Sequence, residues 1–265
     1  MMRCLSVAAV GLSLIMATPI TAKAADLYDG GYKDAPAPVP FAAPFRWTGF
    51  YIGGDVGGAW ARGGGVTSNC RPGAACGQSP ASGNVDADSF IGGVHAGYKW
   101  RVGPKWILGA EGDFMWTALV GSASAPDVVP GGGVVAPVGH QWSRDISWLA
   151  SLRGRIGYNV APMALWYFTG GVAWQEADYS ATQINVGAPT SRARTSFSET
   201  TTGYVLGTGL EWAMTKNWVV RGEYLYYNFE GQSASARHSA IPARANFNWD
   251  DSEIHSFRAG ISYKF

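Results

Sequence analysis

Apolar and polar residues alternate with a period of two in eight separate segments, the mark of strands with one apolar face. In the first, Phe50, Ile52, Val56 and Trp60 share a face, with Tyr51, Asp55 and Ala59 opposite. The second sets Phe90, Val94, Ala96, Tyr98 and Trp100 against His95, Lys99 and Arg101. The third sets Trp106, Leu108, Ala110, Phe114 and Trp116 against Glu111 and Asp113. In the fourth, Trp148, Ala150, Leu152, Ile156 and Tyr158 oppose Ser151, Arg153 and Arg155. The fifth has Trp166, Phe168, Val172 and Trp174 against Tyr167, Thr169 and Gln175. The sixth has Tyr204, Leu206, Leu210 and Trp212 against Gly207, Gly209 and Glu211. The seventh pairs Trp218, Val220, Tyr224 and Tyr226 with Arg221, Glu223 and Tyr227. The last pairs Phe257, Ala259, Ile261, Tyr263 and Phe265 with Arg258, Ser262 and Lys264. In these registers every charge within a segment avoids the apolar face.

The connections alternate as well. Short ones run over Val102–Lys105, Asn159–Pro162 and Ala213–Asn217, and long ones over Ala61–Asp86, Ala118–Arg144, Glu176–Thr200 and Gly231–Asp251. Short turns at one end and long loops at the other are the pattern of an outer-membrane barrel. The expected fold is therefore all-β, an eight-stranded antiparallel up-and-down transmembrane β-barrel with long outer loops. Closure pairs every backbone group between strands, so no polar edge meets lipid. An Arg or Lys on the lipid face costs about 2–4 kcal/mol at the midplane. A one-residue slip turns Arg153 and Arg155 to lipid together, so the register is firmly set.

Aromatic residues mark both ends of the segments. Trp100, Trp106, Tyr158, Trp166, Trp212 and Trp218 flank the short turns, with Tyr263 and Phe265 at the chain end. Trp60, Phe90, Trp116, Trp148, Trp174, Tyr204 and Tyr226 sit at the opposite ends. Such girdles suit interfaces where one side of a ring is dry and the other wet. The other face points into a lumen just wide enough for side chains to fill. It carries Asp55, Glu111, Asp113, Glu211 and Glu223 with Lys99, Arg101, Arg153, Arg155, Arg221, Arg258 and Lys264. Unpaired buried charge is very costly, so a salt-bridged polar plug is expected. Glycines 53, 93, 109, 207, 209 and 260 leave room for it.

The N-terminal part has a different texture. Residues 1–24 read as a cleavable signal peptide: Arg3, an apolar core from Leu5 to Ile15, then Ala22-Lys23-Ala24 as a small-x-small cleavage site. Residues 25–45 carry Pro36, Pro38, Pro40 and Pro44 and read as an extended periplasmic linker. The barrel is expected over 46–265. Export exposes Cys70 and Cys76 to an oxidising compartment, and a disulfide closing a small surface loop is expected there. Charged residues are 15% with a formal net charge of +1, which leaves no footprint for a nucleic-acid partner. No cofactor or metal motif stands out.

Several local motifs point to a known family. They are Trp47-Thr48-Gly49-Phe50-Tyr51-Ile52-Gly53-Gly54, Gly203-Tyr204-Val205-Leu206-Gly207-Thr208-Gly209-Leu210-Glu211-Trp212, Glu223-Tyr224-Leu225-Tyr226-Tyr227 and Phe257-Arg258-Ala259-Gly260-Ile261-Ser262-Tyr263-Lys264-Phe265. Over about residues 46–265 the chain resembles the small outer-membrane surface antigens of alphaproteobacteria, the porin family, whose barrel is similar to the membrane domain of OmpA. The resemblance implies a bacterial outer-membrane location. The ending also resembles the signal read by the barrel assembly machinery, which Ile261, Tyr263 and Phe265 supply here.

Function is weighed on that frame. The leading expectation is a non-enzymatic protein that supports envelope integrity and displays surface loops. Its expected partners are outer-membrane lipids, lipopolysaccharide and the assembly machinery. The loop cations Arg62, Arg71, Arg192, Arg194, Arg237 and Arg244 serve solubility or contact lipopolysaccharide phosphates. A small or gated channel is the second reading. A lipid-modifying enzyme is the third, with His95 expected in the lumen beside a carboxylate and no serine recognisably beside any histidine. A soluble lipocalin-like carrier is the alternative fold.

Overall fold

The computed structural model describes residues 45–62, 64–70, 80–128, 134–185 and 191–265. The proposed signal peptide, the linker up to residue 44, Cys76 and the Cys70 side chain lie outside the described residues.

The strands in chain order are β1 (Gly49–Arg62), β2 (Gly65–Cys70), β3 (Ala81–Asn84), β4 (Ala87–Arg101), β5 (Trp106–Val128) and β6 (Val134–Ala161). They continue as β7 (Ala164–Asn185), β8 (Ser191–Ala213), β9 (Trp218–Phe229), β10 (Gln232–Arg237), β11 (Arg244–Trp249) and β12 (Ser252–Lys264). Eight of them close a barrel in the order β1-β12-β9-β8-β7-β6-β5-β4, all neighbours antiparallel. The chain end returns to its start, where Phe265 N donates to Phe50 O at 2.9 Å.

Side chains obey the alternation. Phe50, Ile52, Val56, Leu152, Leu206, Leu210 and Ile261 are exposed on the outer wall. Between them on the same strands, Tyr51, Asp55, Arg153, Glu211 and Ser262 are buried. This is an apolar surface turned outward and a polar interior, the inverse of a soluble carrier. Ring pairs reinforce the girdles: Trp106–Tyr158 at 5.1 Å, Trp218–Tyr263 at 5.2 Å and Phe114–Trp148 at 5.4 Å between centroids.

The long connections depart from expectation, because much of each is strand rather than loop. β5, β6, β7 and β8 run unbroken past the outer girdle. Around them β1, β4, β9 and β12 each break, and their continuations β2, β3, β10 and β11 form a separate sheet in the order β10-β11-β2-β3. The breaks stay pinned by Val85 N to Gly64 O at 2.9 Å and Asp250 N to Gly65 O at 2.8 Å. This outer storey encloses apolar side chains, among them Trp142, Tyr179, Phe247 and Trp249. Tyr179 stacks on Phe197 at 5.1 Å and meets Trp249 edge-on at 5.3 Å. A bulge at Ser147 switches the parity of β6, so Arg144 and Ile146 point inward above it and Leu149 and Ser151 below it.

Candidate functional site: the lumen

Three tiers of side chains fill the barrel. At the short-turn end, Trp47 folds beneath the strands and packs with Phe45, Ile107, Leu165, Ala213 and Val219. The middle tier is ionic. Above it, Met115, Leu149 and Leu225 begin the apolar core that continues into the outer storey.

Glu111 is the hub of the ionic tier. Its Oε1 accepts from Arg153 Nη2 at 2.7 Å. Its Oε2 accepts from Arg155 Nη1 at 2.8 Å, Arg221 Nη1 at 2.7 Å and the Tyr51 hydroxyl at 2.7 Å. Arg153 also reaches Asp113 and Glu223, each at 2.9 Å. Arg155 reaches Glu211 at 3.0 Å and lies over the Tyr167 ring at 3.7 Å. Lys99 pairs with Glu211 and sits 4.3 Å from the Tyr51 ring centroid. Arg258 pairs with Asp113 at 3.2 Å and donates to the Tyr227 hydroxyl.

Among the described lumen residues, the acids Asp55, Glu111, Asp113, Glu211 and Glu223 are thus matched by the bases Lys99, Arg153, Arg155, Arg221 and Arg258. The five acids and five bases cancel in formal charge, and their pairing offsets part of the cost of burying them.

Two expected members lie apart from it. Arg101 is exposed and donates from Nη1 to Pro104 O at 2.7 Å. Lys264 Nζ lies 3.1 Å from Phe265 O. Both occupy the last rung of a strand, where a long side chain reaches water instead of the lumen. Conversely, the sequence reading left Tyr51, Tyr167, Tyr227, Ser151 and Ser262 out of the network. All lie on the charge-bearing face, so their parity was the available signal.

His95 stands in the lumen beside a carboxylate, as expected, but a serine adjoins it as well, which was not. Its Nδ1 lies 2.7 Å from Asp55 Oδ2 and its Nε2 lies 2.7 Å from Ser262 Oγ. A serine, a histidine and a carboxylate thus stand in line, brought from β12, β4 and β1. The paired strands put them at one level, with Gly53 opposite both His95 and Ser262. A Cβ at Gly53 would lie 2.6 Å from the His95 ring, so this close approach requires glycine. The order matches nucleophile, base and orienting acid. The surroundings do not suit attack on a substrate. The side chains of His95 and Asp55 are wholly buried, and Ser262 is 4% exposed.

Ile261, Tyr263 and Phe265 all face outward at the short-turn end.

The sequence model described as outer membrane protein beta-barrel domain matches residues 36–265. The 31 kDa outer-membrane immunogenic protein of Brucella melitensis biotype 1 is 32% identical over 232 residues, covering 85% of this chain and 88% of that protein. The 25 kDa outer-membrane immunogenic protein of the same organism is 24% identical, covering 87% of this chain and 84% of that protein. Among solved structures, Neisserial surface protein A is 15% identical with a TM-score of 0.39, covering 82% of this chain and 98% of that chain. The outer membrane protein OprG of Pseudomonas aeruginosa is 11% identical with a TM-score of 0.44, covering 84% of this chain and 98% of that chain.

Proposed function

The chain belongs to the outer membrane β-barrel family and is an integral protein of the bacterial outer membrane, and from that premise we propose that it acts as a closed, non-enzymatic barrel supporting envelope integrity. The observation that carries this reading is the neutral ionic tier across the lumen, with Glu111 held by three arginines and a tyrosine. A lumen of eight strands is just wide enough for side chains to fill, and here it is also stoppered by Trp47 below and an apolar core above. Its partners on this reading are the lipids and lipopolysaccharide around it, and the assembly machinery that reads Ile261, Tyr263 and Phe265 during insertion.

Two measurements test it. Purified protein in planar bilayers is expected to give no stable ohmic current. Deletion of the gene is expected to raise sensitivity to detergent, with restoration by the full-length chain. A steady conductance, or a deletion strain as resistant as its parent, overturns the proposal.

The line of Ser262, His95 and Asp55 favours a second reading, a lipid-modifying hydrolase. Burial of all three side chains weighs against it. That reading requires a serine that reacts with a hydrolase-directed probe in the folded barrel.

A further inference from the structure

Past the outer girdle, the outward wall of β5–β8 changes from apolar to polar. Trp116 pairs with Trp148 at the girdle. Above, Asp145 lies opposite Asp178 on the neighbouring strand. On the next outward rung Ser122 pairs with Ser143, Ser143 with Ser180 and Ser180 with Ser196, so one row of serines crosses four strands. On the rung above, Ser124 pairs with Gln141, Gln141 with Thr182 and Thr182 with Arg194. Side chains from these two rungs line an open groove of about 480 Å³.

Three features of this shelf narrow what it takes. Apart from Arg194 at the edge of the upper rung, its groups are hydroxyls and an amide, which both donate and accept hydrogen bonds, as sugar hydroxyls do. They repeat at about 4.8 Å across the strands and about 7 Å along them, a lattice on the scale of linked sugar rings. Threonine is the hydroxyl residue that strands favour, yet serine fills the whole row, keeping the surface flat and each hydroxyl accessible. Ser143 and Ser180 bond each other at 2.9 Å, which aligns them while leaving further hydrogen-bonding capacity. Charge adds a direction. Asp145 and Asp178 stand between the shelf and the membrane and repel phosphate on that side, while Arg194 lines the groove at the upper rung, away from the membrane.

The shelf lies on the outward wall beyond the outer girdle and the Asp145–Asp178 rung, the side from which the sugars of a lateral outer-leaflet glycolipid would approach. We propose that the Ser122–Ser143–Ser180–Ser196 row and the rung above it bind the oligosaccharide of neighbouring outer-leaflet glycolipid. This rests on the reading of the chain as an envelope-supporting barrel and gives that role a surface.

The test uses the full-length protein in detergent micelles, titrated with delipidated core oligosaccharide by calorimetry and saturation-transfer NMR. A second arm uses vesicles containing lipid A without core sugars. The S143V/S180V variant keeps strand preference and removes both hydroxyls; S143T/S180T restores them. Wild type and the Thr variant are expected to bind the oligosaccharide alike, and the Val variant at least tenfold more weakly. All three should bind lipid A vesicles equally. An unchanged Val variant, a wild type that ignores the oligosaccharide, or a loss confined to the lipid A arm overturns the proposal. If S143V/S180V does not fold, as judged by heat-dependent gel migration, Q141L on the adjacent rung takes its place with the same expected weakening. Conductance and detergent sensitivity are scored separately, so failure of sugar binding is distinguishable from failure of the closed-barrel role.

Discussion

Arg221 clamps Asp55 over Gly260 of the one strand between them, β12, with Nε 2.8 Å from Oδ1 and Nη2 2.6 Å from Oδ2. Fork-to-fork pairing is the strongest geometry available to these groups. It engages both carboxylate oxygens, sharing Oδ2 with His95 Nδ1, and it ties β9 to β1 over the intervening β12. The clamp therefore makes Asp55 a structural anchor, and the His95–Ser262 contact an extension of the same network. A Cβ at Gly260 would collide with Asp55, so this position too requires glycine.

The first prediction concerns reactivity. In the folded barrel a fluorophosphonate probe is expected to leave Ser262 unmodified, and S262A should change neither detergent resistance nor heat-dependent migration. Labelling that disappears in H95A would favour the hydrolase reading instead.

The hub carries the second prediction. Glu111→Gln keeps the shape of the side chain and removes the charge shared by Arg153, Arg155 and Arg221. Loss of one partner in a buried ionic group costs about 3–5 kcal/mol. Urea unfolding in lipid vesicles is expected to show a loss of that size. A change within the error of the measurement would mean that the ionic tier contributes little to stability.

How legible this was in the chain differs from storey to storey. Within the membrane the outer solvent is hydrocarbon, so each charge had one allowed face, and residues such as Arg153 and Glu223 marked the register unaided. Outside the membrane both faces tolerate polar groups, and the contrast fades. The stretch holding Ser122, Ala123, Ser124 and Ala125 reads as loop, although it is strand. The aromatic residues Trp142, Tyr179, Phe197, Phe247 and Trp249 did carry an inward signal there. The bulge at Ser147 hid part of it by reversing the parity of β6. The meeting of Ser262 with His95 depends on barrel closure between β1 and β12, which no local pattern encodes.

A third prediction follows from the outer storey. Asp145 and Asp178 face one another directly, and like charges in that position destabilise a sheet. Burial, and then the Asp178 carboxylate, raise the Asp145 carboxyl above its ordinary value. The folded state thus binds the proton more tightly than the unfolded chain does. The contribution of this one site is highest below the ordinary carboxylate range and declines as pH rises through the folded value. Asp145→Asn should therefore stabilise the protein at neutral pH by about 0.2–1 kcal/mol. The gain should vanish in acid. Unfolding midpoints compared at neutral and acidic pH check both halves.

The last prediction places a second pH response, of opposite sign, at the β10–β11 hairpin. His238 N donates to Ala243 O at 3.0 Å within the turn, and Ser239 N donates to Arg192 O at 2.9 Å, pinning the tip to β8. The His238 ring is buried, and both ring nitrogens lack a hydrogen-bond partner among the described residues. Burial lowers the pKa of this ring below its ordinary value. The unfolded chain accordingly binds the proton more readily than the folded one. The contribution of the packed neutral ring is present above the ordinary histidine value and is lost as pH falls through it toward the lowered one. Hydrogen exchange across residues 232–249 should therefore accelerate between pH 7.5 and pH 5, after correction for intrinsic rates, while the membrane strands stay protected. In His238→Phe the corrected protection should no longer depend on pH over that interval. Equal pH dependence in the two proteins would assign the response to other groups.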